Sequence, residues 1–144
     1  AKVEPLLNEI DAILSEDRTQ KVIIFTEFVA TQTYLQELLV NRGYTVTILN
    51  GGMSIDERNA AMQEFKASTS IFISTDAGGE GLNLQFANII INYDLPWNPM
   101  KIEQRCGRVD RIGQQRDVHI YNFIVGETIV VQLSRQKSKH FIMN

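Results

Sequence analysis

Val3, Leu6, Leu7, Ile10 and Leu14 recur at i, i+3, i+4, i+7 and i+11, an apolar stripe that predicts an opening helix of about four turns. Val22-Ile23-Ile24-Phe25 is a continuous, β-branched run, the pattern of a strand covered on both faces, and it ends at Thr26-Glu27-Phe28. A second helix follows, with Tyr34, Leu35, Leu38 and Leu39 turned inward and Asn41-Arg42-Gly43 as its stop. Thr45 to Leu49 reads as the next strand and Asn50-Gly51-Gly52-Met53 as a tight turn. Ser54-Ile55-Asp56-Glu57 has the spacing of a capping box opening a helix that runs to about Lys66. Ser70 to Ser74, Ala87 to Asn92 and Val118 to Val125 read as three further strands. Asn98-Pro99 marks a helix start, with an N-cap and proline at the first position. The chain from Glu127 onward reads as a terminal helix, basic at Arg135, Lys137 and Lys139.

Helices alternating with buried apolar strands predict an α/β layered domain built on a mainly parallel sheet. Such sheets gather ligands beyond the carboxyl ends of their strands. Thr26-Glu27-Phe28, Asn50-Gly51-Gly52 and the stretch from Thr75 to Asn83 all follow predicted strands, so they are expected along one edge.

Length and composition narrow the class. At 144 residues, 44% hydrophobic and 22% charged, the chain suits one globular core. No apolar run approaches the roughly 20 residues of a membrane span, and the first residues lack a signal-peptide pattern, so cytoplasm, or nucleus in a eukaryote, is expected, with no membrane partner. One cysteine and two separated histidines predict no metal site. A net charge of −3 excludes a chain that coats nucleic acid by bulk charge but leaves room for a local footprint. Residues 1–20 carry five acidic and two basic side chains, whereas residues 101–116 carry five basic and two acidic. The basic character is confined to one stretch.

That stretch holds the chemistry. In Gln104-Arg105-Cys106-Gly107-Arg108-Val109-Asp110-Arg111-Ile112-Gly113-Gln114, three arginines surround a glycine, and guanidinium groups match phosphate oxygens in shape and charge. On a helix, Gln104, Arg108 and Arg111 would share a face at i, i+4 and i+7. Thr75-Asp76-Ala77-Gly78-Gly79-Glu80-Gly81-Leu82-Asn83 is a glycine-rich loop at a strand end, suited to a sharp turn or a close ligand approach. No glycine is followed by lysine, so a G-x-x-x-x-G-K-[ST] phosphate loop is absent. Arginines that read phosphate without a cradle for it fit the arginine-finger arrangement, in which a guanidinium acts on a nucleotide held by another domain. Cys106 reads as a small filler, His119 as a strand residue and Trp97 as packing beneath the Asp94-Leu95-Pro96-Trp97-Asn98-Pro99 loop.

These motifs, in this order, resemble the second RecA-like lobe of the Swi/Snf-related ATPases of helicase superfamily two. Lys21 to Phe28 is similar to motif IV, Ser74 to Leu84 to motif V and Gln104 to Gln114 to motif VI, while Asp94 to Pro99 leans to the RapA-like branch. The resemblance covers nearly the whole chain. It implies a RecA-like three-layer fold over residues 1–144, as one lobe of a longer ATP-dependent double-stranded DNA translocase. Arg108 and Arg111 would be arginine fingers supported by Gln104, Arg105 would be a structural or interlobe contact, and Asn83 and Gly81 would lie near the nucleotide. Thr26, Phe28, Asn50 and Gly51, with Thr75 and the Gly78-Gly79 backbone, would face the nucleic acid or couple the two sites. ATP with Mg2+ would be held mainly by a first lobe of the same polypeptide. Double-stranded DNA, and a DNA-bound protein being remodelled, are the other implied partners. By itself the chain is expected to be inactive. A non-catalytic interaction module and an RNA helicase lobe are the alternatives.

Overall fold

The computed structural model describes residues 3–78, 83–94, 98–109, 117–125 and 136–143. Its elements run α1 (Val3–Glu16), β1 (Val22–Thr26), α2 (Val29–Asn41), β2 (Val46–Leu49), α3 (Ile55–Ala67), β3 (Ile71–Thr75), β4 (Ile89–Asn92), α4 (Pro99–Gly107), β5 (Val118–Val125) and β6 (Gln136–Met143). The strands form one sheet in the order β2-β3-β1-β4-β5-β6, and every neighbouring pair is parallel. From β1 the chain crosses to β2 on one side, and from β4 it crosses to β5 on the other. The connections therefore diverge between β1 and β4, the place where an open parallel sheet leaves a crevice at its carboxyl edge.

The period-two geometry of the strands sorts the core into two layers. Val22 and Ile24 of β1 join Ile71, Ile73, Ile89 and Ile91 beneath Leu6, Ile10, Ile13 and Leu14 of α1 and Leu35 and Leu39 of α2. Ile23 and Phe25 face the other way, with Phe72 and Ile90, against Ala61 and Phe65 of α3 and Ile102 and Cys106 of α4. The sheet is thus sandwiched between helices, the three-layer arrangement expected. Local signals placed the helix ends as read. Ser54 Oγ accepts from Glu57 N at 3.1 Å while Glu57 Oε1 accepts from Ser54 N at 3.1 Å, and Asn98 Oδ1 accepts from Met100 N at 3.0 Å. Gly43, at φ +98°, takes the left-handed turn after α2.

Two expectations are corrected. Tyr34 is half exposed rather than inward, because the buried stripe of α2 runs Gln32, Leu35, Leu39, at i, i+3 and i+7. A glutamine takes the place of a hydrophobic residue because its amide has buried partners, described below. Residues 136–143 form strand β6 rather than the predicted terminal helix; they pair with β5 from Val118↔Gln136 to Val125↔Met143. The free backbone groups of an edge strand template a further strand, which a local reading of residues 136–143 does not register. Arg135 lies outside the described residues.

An ion pair ties α1 to the start of β2. Arg42 Nε donates to Asp11 Oδ1 and Oδ2 at 3.1 and 3.0 Å, and the Tyr44 hydroxyl donates to Asp11 Oδ1. The Arg42 bond first, and the Tyr44 bond second, hold the Asp11 carboxyl below its ordinary value of 3.8. A carboxyl depressed on folding contributes stability above its unfolded value and loses that contribution as pH falls through the folded one. Asp11→Asn is therefore expected to lower the urea midpoint at neutral pH and to cost nothing well below pH 3.8. The pair is substantially exposed, which keeps the neutral-pH effect small, and smaller still in high salt. A gap between wild type and variant that persists in acid would contradict the assignment.

Candidate functional site at the carboxyl edge of the sheet

A fully buried cation organises this edge. Arg105, on α4, is fully buried, and its Nε and Nη2 donate to the two carboxylate oxygens of Asp76 at 2.6 and 2.9 Å. Its Nη1 donates to Asn92 Oδ1 at 3.1 Å and to the Asp94 carbonyl at 2.8 Å, and Nη2 lies 3.5 Å from the Asp94 carboxylate. The guanidinium also sits 5.5 Å from the centre of the Phe25 ring. The network extends outward. Asn92 Nδ2 donates to Asn122 Oδ1 at 2.7 Å, and Asp94 accepts from the Thr26 hydroxyl at 2.5 Å and from Glu27 N at 2.9 Å. A planar fork with five donors is the one side chain able to hold these groups together. The ends of β1, β3 and β4 are thereby pinned to α4. Lys101, in the first turn of that helix, adds a looser pair with Glu27 at 3.8 Å.

At its far end α4 delivers Arg108. The helix stops at Gly107, and Arg108 is its C-cap, with φ −75° and ψ −24°. Leu84 N donates to the Arg108 carbonyl at 2.7 Å, which brings the end of the glycine-rich loop against the arginine element. Asn83 is exposed beside that junction, its Oδ1 accepting from Gln85 N at 3.2 Å. Arg108 is 7% exposed, folded against the lobe, whereas Gln104 is exposed. The two side chains thus differ in exposure, Gln104 facing solvent and Arg108 covered. Arg111 lies outside the described residues, as do Gly79, Gly81 and Trp97.

The predicted nucleic-acid residues divide into two kinds. Thr26 and Thr75 are buried; Thr26 is committed to Asp94, and Thr75 Oγ1 accepts from Gly78 N at 3.2 Å. Phe28 and Gly51 are exposed and Asn50 is half-buried. Gly78 is buried against the turn after β2. A Cβ there would lie 2.5 Å from Asn50 Cα and 2.7 Å from Asn50 N, so only glycine lets the two backbones approach. Arg58 Nη2 donates to the Gly51 carbonyl at 3.3 Å and places a cation at this turn. Arg58 is not among the site residues expected from the sequence, although a basic residue one turn into a capped helix is legible there. Cys106 is buried, in no disulfide, and His119 lies on β5, as read.

A parallel three-layer sheet whose carboxyl edge carries a glycine-rich loop joined to an arginine element defines a RecA-like helicase lobe. The model of the helicase conserved C-terminal domain matches residues 1–113. The chain belongs to that family. It is 49% identical over 123 residues, 85% of its length, to the uncharacterized ATP-dependent helicase YqhH of Bacillus subtilis. It is 37% identical over 139 residues, 94% of its length, to the RNA polymerase-associated protein RapA of Vibrio cholerae. The chain spans only 22% and 14% of those two relatives. Among solved structures, the C-terminal part of the Fun30 ATPase domain matches with a TM-score of 0.81 and 30% identity, over 88% of this chain and 41% of that one. The helicase domain of Pyrococcus furiosus Hef shares the fold, with a TM-score of 0.68 and 24% identity over 84% of this chain and 25% of that one.

Proposed function

We propose that this chain is the second lobe of an ATP-dependent translocase on double-stranded DNA, completing an ATP site whose phosphate loop and magnesium ligands belong to a first lobe. The observation that carries the reading is the Leu84 to Arg108 hydrogen bond. It joins the backbone of Arg108 to the residue after Asn83, so that an amide and a guanidinium, a donor set that fits a ribose hydroxyl and a phosphate, are carried by neighbouring segments. Bound ATP would supply the phosphoryl group; the chain's part is to orient and to neutralise. Asn83 and the Gly81 backbone bind on the ribose side. Arg108 turns outward by a change of rotamer and, with Arg111, meets the charge that develops on the transferred group, while Gln104 supports them from the exposed face of α4.

Phe28, Asn50 and Gly51 follow the DNA backbone, with Thr26, Thr75 and Gly78 acting beneath them as positioning groups. The Arg105 network joins these loops to α4, so displacement of the nucleic-acid loops and displacement of the finger are mechanically linked. The RapA relatives are named for association with RNA polymerase, and a DNA-bound protein complex of that kind is the target we assign to the whole protein.

The test is ATP hydrolysis by a protein that carries both lobes, measured alone and with duplex DNA, single-stranded DNA or duplex RNA. Turnover raised by duplex DNA is the expected result. Stimulation by RNA alone would replace the reading with an RNA helicase, and no turnover under any condition would leave only an interaction module.

A further inference from the structure

Gln32 is fully buried in the middle of α2's inward stripe, among leucines, and its amide is spent on the turn after β2. Its Nε2 donates to the Leu49 carbonyl at 2.8 Å and to the Ile73 carbonyl at 2.8 Å, clamping the last residue of β2 to the neighbouring β3. Its Oε1 accepts from Asn50 Nδ2 at 3.2 Å. With Nδ2 so engaged, Asn50 Oδ1 is left pointing along the turn, where it accepts from Gly52 N at 3.0 Å. From the opposite side, Gly78 packs directly on the Asn50 backbone. Asn50 is therefore gripped twice, by a side chain from α2 and by the backbone of the β3 loop, and its amide can take only one orientation.

We infer that Gln32 is a positioning residue for nucleic-acid binding: by fixing the Asn50 amide it sets the Asn50-Gly51-Gly52-Met53 turn in the shape that meets a phosphate backbone. The inference rests on the proposed function, because it takes Asn50 and Gly51 as the contacting residues. Its physical basis is independent of that reading. A buried primary amide has two donor hydrogens and an acceptor oxygen, and here both strand carbonyls and the turn amide use them. A hydrophobic residue at this position would fill the same volume and leave two buried carbonyls and the Asn50 amide to find other partners.

The experiment uses the two-lobed protein and duplex DNA. Gln32→Met keeps the volume and removes every hydrogen bond. It is expected to raise the DNA concentration for half-maximal ATPase stimulation by about three- to tenfold, the worth of one neutral hydrogen bond in orientation. The KM for ATP and the DNA-independent rate should stay within about twofold on the same scale. A merely structural glutamine would shift all three together, or none.

Asn50→Ser retains an oxygen able to accept from Gly52 N, replaces the amide donor to Gln32 by a hydroxyl on a side chain one bond shorter, and leaves Gln32 on its two strand carbonyls. It therefore serves if Gln32→Met does not fold. It should weaken DNA to the same degree and raise amide exchange at residues 50–53, and in the double variant the two effects should not add. Additive effects, or DNA affinity unchanged in Asn50→Ser, would overturn the inference. Wild-type protein that DNA does not stimulate would instead overturn the proposed function. In that case exchange at residues 50–53 in Gln32→Met still reports whether Gln32 sets the turn, and unchanged exchange there would overturn that role as well.

Discussion

Arg108→Ala, in a protein carrying both lobes, is expected to lower ATP turnover by about 10³–10⁵ with little change in nucleotide affinity. The reason is electrostatic. A guanidinium placed where charge develops on the transferred phosphoryl group stabilises the transition state more than the ground state, so its loss appears in kcat rather than in KM. Arg108 sits where α4 ends, and its carbonyl holds the start of the 84–88 segment, so truncating its side chain leaves the backbone junction intact. Arg108→Lys should recover little, because a point charge cannot reproduce the planar fork. The same loss is expected for Arg111→Ala. The check is single-turnover hydrolysis at saturating ATP and duplex DNA. Wild-type rates in both variants would sink the finger assignment and with it the reading of Gln104 to Gln114 as half of an ATP site.

Arg105→Ala should instead act on the fold. The side chain is fully buried and satisfies two carboxylates, an asparagine oxygen and a main-chain carbonyl. Removing it leaves Asp76 and Asp94 side by side without their cation, in surroundings that solvent reaches only in part. Breaking a buried ion pair from one side costs about 3–5 kcal/mol, which for a chain of this size corresponds to a fall in Tm of roughly 6–20 °C. Arg105→Lys is expected to be nearly as damaging, since one ammonium cannot span Asp76, Asn92 and the Asp94 carbonyl together. Asp76→Asn in the Arg105→Ala background should restore part of the loss by removing one uncompensated charge. Thermal unfolding of the three variants decides it. An Arg105→Ala protein as stable as wild type would mean that the carboxylates find water readily and that the network does not organise the edge.

These two arginines show what a linear reading reaches. Both belong to one short cationic run, and the run was visible as a phosphate reader because its residue types carry that chemistry wherever they stand. That Arg105 is a structural contact rather than a finger was also legible; the groups it binds were not. The partners of Arg105 lie at Asp76, Asn92 and Asp94, the first of them 29 residues away, and only the crossover from β3 to β4 and back through α4 brings them together. Gln32 was hidden for the same reason. Its carbonyl partners are 17 and 41 residues away, and on α2 alone it is a polar residue interrupting an apolar stripe. Tyr34 looked the better inward residue because periodicity counts hydrophobicity and cannot count hydrogen bonds from another strand.

The sequence by itself determined the elements and their order, from the strand at Val22 to the one at Val118, along with the capping box at Ser54, the cap at Asn98 and the stop at Gly43. It also determined that the chemistry-bearing loops follow strands and so share one edge. These are consequences of backbone hydrogen bonding and side-chain period, which act within a few residues. The tertiary structure alone decided which groups Arg105 binds, that Gly78 and Gln32 grip Asn50, and that residues 136–143 extend the sheet instead of coiling. Burying a charge or an amide is unfavourable until its partners are present, and an edge strand attracts another only when its edge is free. Both conditions are set by parts of the chain that meet only on folding.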